Sequence, residues 1–317
     1  MRYVSAALLF VAGSSATFAC GSEVVENRFG SDGGASATGE LPDTGPQLGG
    51  EPTEEDTACK KMDLVFVIDD SGSMGQEQSN LKANFPKFVQ VINKFTTKSG
   101  DPIDYRLAVT TTGVTATIQT SFGGMSQVGA DGKFVKASGM SRPWLERTDA
   151  NMTTLFQSMA SVGTSGPSYE MPLEASRLAL RERLKDNNKG FLRDDALLGI
   201  VYLTDEEDCS TTSRNIAQSS TIGGNCIGAQ EATTKYVSFF DTLKQGRERW
   251  ATAVIAGPTD CSSSFGSAAE APRLKSFVAE VGKTAVFSSI CSGDLSGALT
   301  KALETFDAAC QNFAAPR

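Results

Sequence analysis

The chain has 317 residues, 40% of them hydrophobic, which is enough apolar material for one large domain or two small ones. It contains no histidine, and this excludes Ser-His-Asp and Cys-His hydrolases in their usual form, as well as zinc sites that need imidazole. Most of the formal net charge of −8 comes from the acidic segment 21–56, so the remainder is nearly neutral and offers no basic surface to nucleic acid.

The first twenty residues predict export. Arg2 precedes an apolar run from Tyr3 to Phe10, followed by small residues, which is the layout of a secretory signal peptide (1–20). The run is too short for a convincing membrane-spanning helix. Two processing sites compete: an ordinary signal-peptidase site at 17–19, and a lipobox-like sequence, 19–21, that would leave Cys20 lipidated.

The cysteine count favours lipidation. The chain has seven cysteines, and removing Cys20 leaves an even set for an exported protein. We therefore expect a lipoprotein of the bacterial cell envelope, periplasmic or surface-exposed, that is attached to the membrane through its lipid anchor only.

A linker and then a folded domain follow the leader. Residues 21–57 are rich in Gly, Ser, Thr, Pro and acidic residues, which predicts a disordered tether. Beyond them, apolar runs alternate with segments of helical spacing, and a glycine-rich stretch at 123–142 predicts a loop or a small hairpin. Strands are predicted at 62–69, 105–112, 114–122, 196–204, 250–256 and 284–288, and helices at 76–95, 153–162, 170–184, 229–243, 269–281 and 295–309. This alternation predicts an α/β fold with a doubly wound, mostly parallel sheet and helices on both faces.

Small oxygen-bearing residues follow two predicted strands and precede one predicted helix. The segment 69–73 reads Asp-Asp-Ser-Gly-Ser at the end of the first strand, and Asp205 follows the strand 196–204. Between them, the segment 163–166 reads Gly-Thr-Ser-Gly. Ligands of a doubly wound sheet bind beyond the carboxyl ends of its strands, so we expect all three segments at one rim.

Together these segments resemble the metal-ion-dependent adhesion site of von Willebrand factor type A domains. That site has an Asp-x-Ser-x-Ser motif, then a loop Thr, then an Asp after the fourth strand. Asp69, Ser71 and Ser73 match the motif, Thr164 matches the threonine and Asp205 the last Asp. The runs GTSGPSYEMPLEA and LTDEEDCS also look like those of exported bacterial members. The resemblance covers about residues 60–310 and implies a domain at 58–312. Asp-x-Ser-Gly-Ser alone is a weak signal, because such residues also cap helices and form turns.

The resemblance implies a divalent cation at these five residues, Mg²⁺ first, with Mn²⁺ or Ca²⁺ as alternatives. Neutral hydroxyl ligands leave positive charge on the ion, so a Glu or Asp of a protein partner is expected at the open position. This implies an adhesion-type binding module and not an enzyme. Two other functions stay open: a metal-dependent hydrolase, for which the spacing singles out no general base, and a structural scaffold whose site is vestigial.

Two expectations concern the acidic residues. We expect Asp69 and Asp205 to lie at loop ends outside the core, so that Ala at either position abolishes metal binding and leaves the fold intact. Glu206, Glu207 and Asp208 are interpreted as a solvated loop rather than as a second cation site.

The topology also predicts disulfide pairs. Cys59 precedes the first strand and Cys310 ends the last helix, so both are expected at the rim opposite the site. Cys209 and Cys226 both lie between the strand 196–204 and the following helix, and the remaining two cysteines follow neighbouring strands. The predicted bridges are Cys59–Cys310, Cys209–Cys226 and Cys261–Cys291.

Overall fold

The computed structural model describes residues 59–120, 123–218, 226–227, 230–264 and 266–313. The predicted signal peptide 1–20, the lipidation site Cys20 and the linker 21–57 lie outside these residues. Within them, none of the helices is both long and apolar enough to cross a membrane.

Twelve strands and six α-helices make up the described part of the chain. In chain order they are β1 (Lys61–Ile68), α1 (Gly75–Ile92), β2 (Asp104–Thr111), β3 (Ala116–Thr120), β4 (Gly123–Gln127), β5 (Leu145–Glu146), α2 (Met152–Met159), α3 (Pro172–Ala179), β6 (Leu197–Leu203), β7 (Asn215–Gln218), β8 (Cys226–Ile227), α4 (Thr233–Lys244), β9 (Trp250–Ala256), β10 (Cys261–Ser263), β11 (Gly266–Ala268), α5 (Pro272–Val281), β12 (Ala285–Ser289) and α6 (Ser296–Gln311).

The central sheet has the order β12-β9-β6-β1-β2-β5. Five of its strands are parallel, and only the short edge strand β5 is antiparallel, where it pairs with β2. All of the parallel strands end at the same rim, which we call the carboxyl rim. The predicted fold class, an α/β fold with a doubly wound and mostly parallel sheet, is confirmed.

Helices cover both faces of this sheet, which explains why its central strands are continuous apolar runs. Helices α1, α2 and α6 pack on one face, and α3, α4 and α5 on the other. On the first face the ring of Phe66 in β1 contacts those of Phe85, Phe88 and Phe156, at centroid distances of 6.3, 5.4 and 5.0 Å. Because β1 is buried between two helical layers, the residues that follow it are held in a fixed place at the carboxyl rim.

The predicted strand 114–122 does form a strand, but not in the central sheet. β3 belongs to a separate sheet of order β4-β3-β7-β8. At the start of the glycine-rich stretch 123–142, β4 pairs with β3, which precedes that stretch, so the hairpin begins earlier than predicted. The chain leaves the central sheet after β2, and β5 pairs with the edge of β2 instead.

The helix predicted over 170–184 is shorter in the structure. Pro172 occupies the first helical position of α3, where its missing N–H is not needed. At the other end the buried Asn188 side chain donates a hydrogen bond to the carbonyl of Ala179 at 3.0 Å, and this contact satisfies a carbonyl at the end of the helix.

Two predicted disulfides are present. Cys59 pairs with Cys310 across a sequence separation of 251, and Cys261 pairs with Cys291 across a separation of 30. The second bridge joins the segments that follow the neighbouring strands β9 and β12, as the topology requires. The third predicted bridge, Cys209–Cys226, involves the side chain of Cys226, which lies outside the described part of the structure.

Candidate metal centre

Two central strands deliver acidic residues to the carboxyl rim. Asp69 follows β1 directly, and its N–H donates to the carbonyl of Leu203, the last residue of β6, at 2.9 Å. Asp205 lies two residues beyond the end of β6. Because β1 and β6 are parallel neighbours, both carboxylates reach the same end of the sheet.

The carboxylate of Asp69 is oriented by two hydrogen bonds. One oxygen accepts from the backbone N–H of Ser71 at 2.8 Å, and the other accepts from the hydroxyl of Thr204 at 2.6 Å. The bond to Ser71 closes a tight turn between β1 and α1, which is how an Asp side chain commonly fixes the backbone two residues later. The turn presents Ser71 and Ser73 beside the carboxylate.

The two serine hydroxyls lie next to each other and next to Asp205. Their Oγ atoms are 3.2 Å apart. Ser73 also hydrogen-bonds Asp205, and this contact opposes the rise of the pKa of Asp205 that burial causes. Oδ1 of Asp205 is buried and has no hydrogen-bond partner. A buried carboxylate oxygen without a donor is costly, so it is suited to coordinate a cation.

Thr164 lies in the loop between α2 and α3, and α1 connects this loop to the turn. The side-chain amide of Gln78 in α1 donates to the carbonyl of Asp69 at 2.9 Å and to that of Gly163 at 2.7 Å. The Thr164 methyl carbon lies 3.8 Å from the point where a Cβ would stand on Gly75, two residues after Ser73. The structure therefore brings the Thr164 loop to the rim where Asp69, Ser71, Ser73 and Asp205 lie.

The expectation that both aspartates lie outside the core is wrong. Asp69 is fully buried and Asp205 is 3% exposed, whereas Ser73 and Thr164 are exposed. The loop segments fold over the ends of the strands, so the carboxylates lie beneath the hydroxyl groups. This burial raises the pKa of Asp69 to about 7, against the opposing hydrogen bonds from Thr204 and Ser71.

The charge around these carboxylates fits a cation. The charged groups that most affect the pKa of Asp69 and of Glu206 are other carboxylates, and each raises it. Burial and these neighbours raise the pKa of Glu206 to about 7. A divalent ion beside hydroxyl and carboxylate oxygens would supply the missing positive charge, and oxygen ligands are those that Mg²⁺, Mn²⁺ and Ca²⁺ prefer.

Two further carboxylates at this rim were not anticipated. One oxygen each from Asp69, Asp70 and Glu170 lie within 4.8 Å of one another. Glu170 precedes α3 and is fully buried. Glu170 lies six residues after Thr164, and no sequence pattern marks it as a site residue. It comes close to Asp69 because the loop between α2 and α3 packs against the end of β1.

The interpretation of Glu206, Glu207 and Asp208 as a solvated loop is wrong for Asp208. Asp208 is fully buried, forms a 3.1 Å ion pair with Arg273 and accepts a hydrogen bond from the N–H of Leu173 in α3. Glu207 accepts from the N–H of Arg273 in the first turn of α5 at 3.0 Å. These two acids hold α3 and α5 against the loop after β6.

The sequence matches no protein-family model, and comparison with curated proteins finds no match. Solved structures with a similar fold include the proximal thread matrix protein 1 of the mussel byssus, whose metal-ion-dependent adhesion site (MIDAS) motif is occupied by zinc. It has 14% sequence identity to this chain and a TM-score of 0.41, and the match covers 80% of this chain and 46% of that chain. The pilus adhesin SpaC of Lactobacillus rhamnosus GG has 13% identity and a TM-score of 0.39, with 80% and 31% covered. The manganese-loaded TRAP protein of Plasmodium vivax has 13% identity and a TM-score of 0.34, with 79% and 74% covered. This chain thus spans less than half the length of the first two.

Proposed function

We propose that this chain is an exported binding module of the von Willebrand factor type A kind. In this proposal Asp69, Ser71, Ser73, Thr164 and Asp205 hold a divalent cation, Mg²⁺ first and Mn²⁺ or Ca²⁺ as alternatives. The role is adhesion and not catalysis, and the partner is a protein that offers a Glu or Asp side chain. The leader and Cys20 would place the module on the cell envelope through a lipid anchor.

One observation supports the metal centre above all others. The hydroxyls of Ser71 and Ser73 lie 3.2 Å apart, Ser73 hydrogen-bonds the carboxylate of Asp205, and Oδ1 of that carboxylate is buried without a partner. Hydroxyl ligands add no negative charge, so a divalent ion held there would keep affinity for a carboxylate from outside. Ser73 and Thr164 are exposed, which leaves the outer side of the centre open to a partner.

An exposed apolar surface next to the Thr164 loop supports a protein partner. Met125 and Val128, in and just after β4, are 64% and 78% exposed. A cavity of about 260 Å³ lies between this hairpin and the Thr164 loop, lined by Ile118, Met125, Ser126, Gln127, Ser168 and Tyr169. Gln127 donates to the carbonyl of Tyr169 at 3.1 Å, which ties the hairpin to that loop. Exposed apolar residues next to polar groups are typical of protein-binding surfaces.

The test is capture of a partner with a metal-dependent readout. The purified chain is immobilised, incubated with envelope extract in Mg²⁺, and the bound proteins are identified and then produced in pure form. We expect binding of the pure partner to be lost with a chelator and in the variant Ser71→Ala/Ser73→Ala. Ser79→Ala, an exposed serine of α1 whose hydroxyl contacts only its own helix, is the matched control and should bind normally.

Substitutions in the partner complete the test. Replacing each of its exposed Glu and Asp residues by Gln or Asn should identify one carboxylate whose loss abolishes binding. Binding that survives both the chelator and the double serine variant would refute the proposal. Turnover of an ester or phosphate substrate by the chain would favour a hydrolase instead.

A further inference from the structure

Two carboxylates at the carboxyl rim take no part in the proposed adhesion site. Asp70 is the residue between Asp69 and Ser71, and Glu170 comes from the segment before α3. Each places one oxygen within 4.8 Å of an oxygen of the other and of one of Asp69. They therefore form a second group of oxygen atoms that shares only Asp69 with the first.

Hydrogen bonds leave part of this group unsatisfied. Oε2 of Glu170 accepts a hydrogen bond from the hydroxyl of Thr112, but Oε1 is buried and has no partner. Oδ1 of Asp70 is also buried and without a partner. Glu170 as a residue is fully buried. Buried carboxylate oxygens of this kind need a cation, a proton or a hydrogen-bond donor.

The backbone around Glu170 holds the residue firmly in place. Its own carbonyl accepts from the N–H of Cys209 at 2.7 Å, and the next N–H, of Met171, donates to the carbonyl of Thr112 at 3.1 Å. The segment is thus fixed to Thr112 at the end of β2 and to the loop that follows β6. The position of the carboxylate is set by the fold and does not depend on a mobile side chain reaching inward.

Asp70 is held equally closely. Its carbonyl accepts from the N–H of Gly166 at 2.7 Å. A Cβ on Gly166 would lie 2.3 Å from the carboxyl carbon of Asp70, so only glycine allows the Thr164 loop to lie this close. Whatever neutralises Asp70 therefore also acts on the loop that carries Thr164.

We propose that Asp69, Asp70 and Glu170 hold a second divalent cation beside the adhesion ion. Three carboxylates favour Ca²⁺, which binds carboxylate-rich groups at about 2.3–2.6 Å and tolerates irregular geometry, whereas Mg²⁺ requires a near-ideal octahedron. This ion fixes Asp69 and the Thr164 loop from below and so shapes the adhesion site. The role of this second ion in shaping the adhesion site rests on the proposed function, whereas its binding does not.

The test counts ions. The full chain is stripped with a chelator, equilibrated with Ca²⁺ and Mg²⁺, and its bound metal is measured by mass spectrometry of the elements. The expected content is about two ions per wild-type chain. Glu170→Gln keeps the size of the side chain and an acceptor for Thr112, and should lose the Ca²⁺ alone. Asp70→Asn, at a partly exposed position, should lose the same ion, and the exposed Glu304→Gln of α6 is the control that should lose none.

The double variant Ser71→Ala/Ser73→Ala separates the two sites. We expect it to lose the Mg²⁺ and keep the Ca²⁺. A wild-type content of one ion that Glu170→Gln and Asp70→Asn leave unchanged would overturn the second site, and would mean that Glu170 is neutralised by a proton. Loss of that single ion in the double serine variant would then leave the proposed function standing. An ion that is lost in Glu170→Gln but kept in the double serine variant would support the carboxylate site and refute the serine site.

Discussion

Buried acidic residues at the carboxyl rim have an expected effect on stability. Unfolded Asp and Glu lose their protons near pH 4, whereas burial raises the pKa of Asp69 and of Glu206 to about 7. Stability from such groups is complete below about pH 4 and is lost as the pH rises through about 7. In metal-free protein we therefore expect the melting temperature to fall between about pH 4 and pH 7 and to level off above that.

The composition makes this pH window easy to interpret. The chain has no histidine that could titrate in this window. Burial lowers the pKa of Lys244 to about 8, so this lysine alters the pH dependence of stability only at higher pH. Thermal denaturation in chelator at several pH values measures the effect. The variant Glu206→Gln should show a smaller fall of the melting temperature with pH. Saturating Mg²⁺ should stabilise the protein most at the high-pH end, because metal binding needs ionised carboxylates. A melting temperature that stays level or rises across the window would contradict this account.

At the scale of single residues, the sequence could predict which side chains gather but not how deeply they lie. The Asp-x-Ser-x-Ser spacing and the position of Asp205 after a buried strand are local features, so they are readable in a single sequence. Burial of Asp69 depends on loops that fold over the strand ends from elsewhere. The approach of Glu170 depends on the Thr164 loop and has no local signature.

Helix α1 controls the site through Gln78. Its amide joins the carbonyls of Asp69 and Gly163, so it sets the distance between the turn and the Thr164 loop. Gln78→Ala should weaken Mg²⁺ affinity by about tenfold or more, as loss of an outer contact to metal ligands commonly does. Calorimetric titration measures this, with the exposed Gln76→Ala of the same helix as control. Equal affinities for the two variants would show that the loop is positioned without Gln78.

The two disulfides are expected to contribute unequally. The bridge Cys59–Cys310 closes a span of 251 residues, and Cys261–Cys291 closes one of 30. A bridge stabilises mainly by restricting the unfolded chain, typically by about 2–4 kcal/mol and more for longer loops. Replacing both cysteines of the first pair by Ala should therefore lower the free energy of unfolding more than the same change in the second pair. Urea denaturation measures both, and a larger loss for the second pair would contradict this expectation.

At the scale of elements, hydrophobic periodicity predicts a strand or helix well when its apolar residues are the ones that the fold buries. The central strands are almost entirely apolar, and α1 buries Leu81, Phe85, Phe88 and Ile92 at helical spacing, so their predicted positions agree with the structure within a few residues. The helix predicted over 170–184 is shorter in the structure, where the side chain of Asn188, nine residues further on, donates to the carbonyl of Ala179 at the end of α3. The strand predicted over 114–122 joins a second sheet because β3 pairs with β4 and with β7, and no local pattern shows the pairing with β7.

At the scale of the whole molecule, we propose that the predicted leader leads to attachment at a membrane. We expect processing at Cys20 and acyl chains on its new N-terminus, because removal of that residue leaves an even number of cysteines for the folded domain. Mass spectrometry of the mature protein from membranes tests this, with Cys20→Ser as the control that should release the chain from the membrane fraction. A mature N-terminus beyond Cys20, or an unmodified Cys20, would refute it.

In the proposed function a divalent ion binds at the two serines, and crystallography with Mn²⁺ tests this most directly. Crystals of the chain grown with Mn²⁺ should show an anomalous difference peak in contact with Oγ of Ser71 and Oγ of Ser73 and beside Asp205. Mn²⁺ is suitable because it accepts the same hard oxygen ligands as Mg²⁺ and gives a strong anomalous signal. Absence of a peak at the serine hydroxyls in crystals that carry Mn²⁺ elsewhere on the chain would contradict the account.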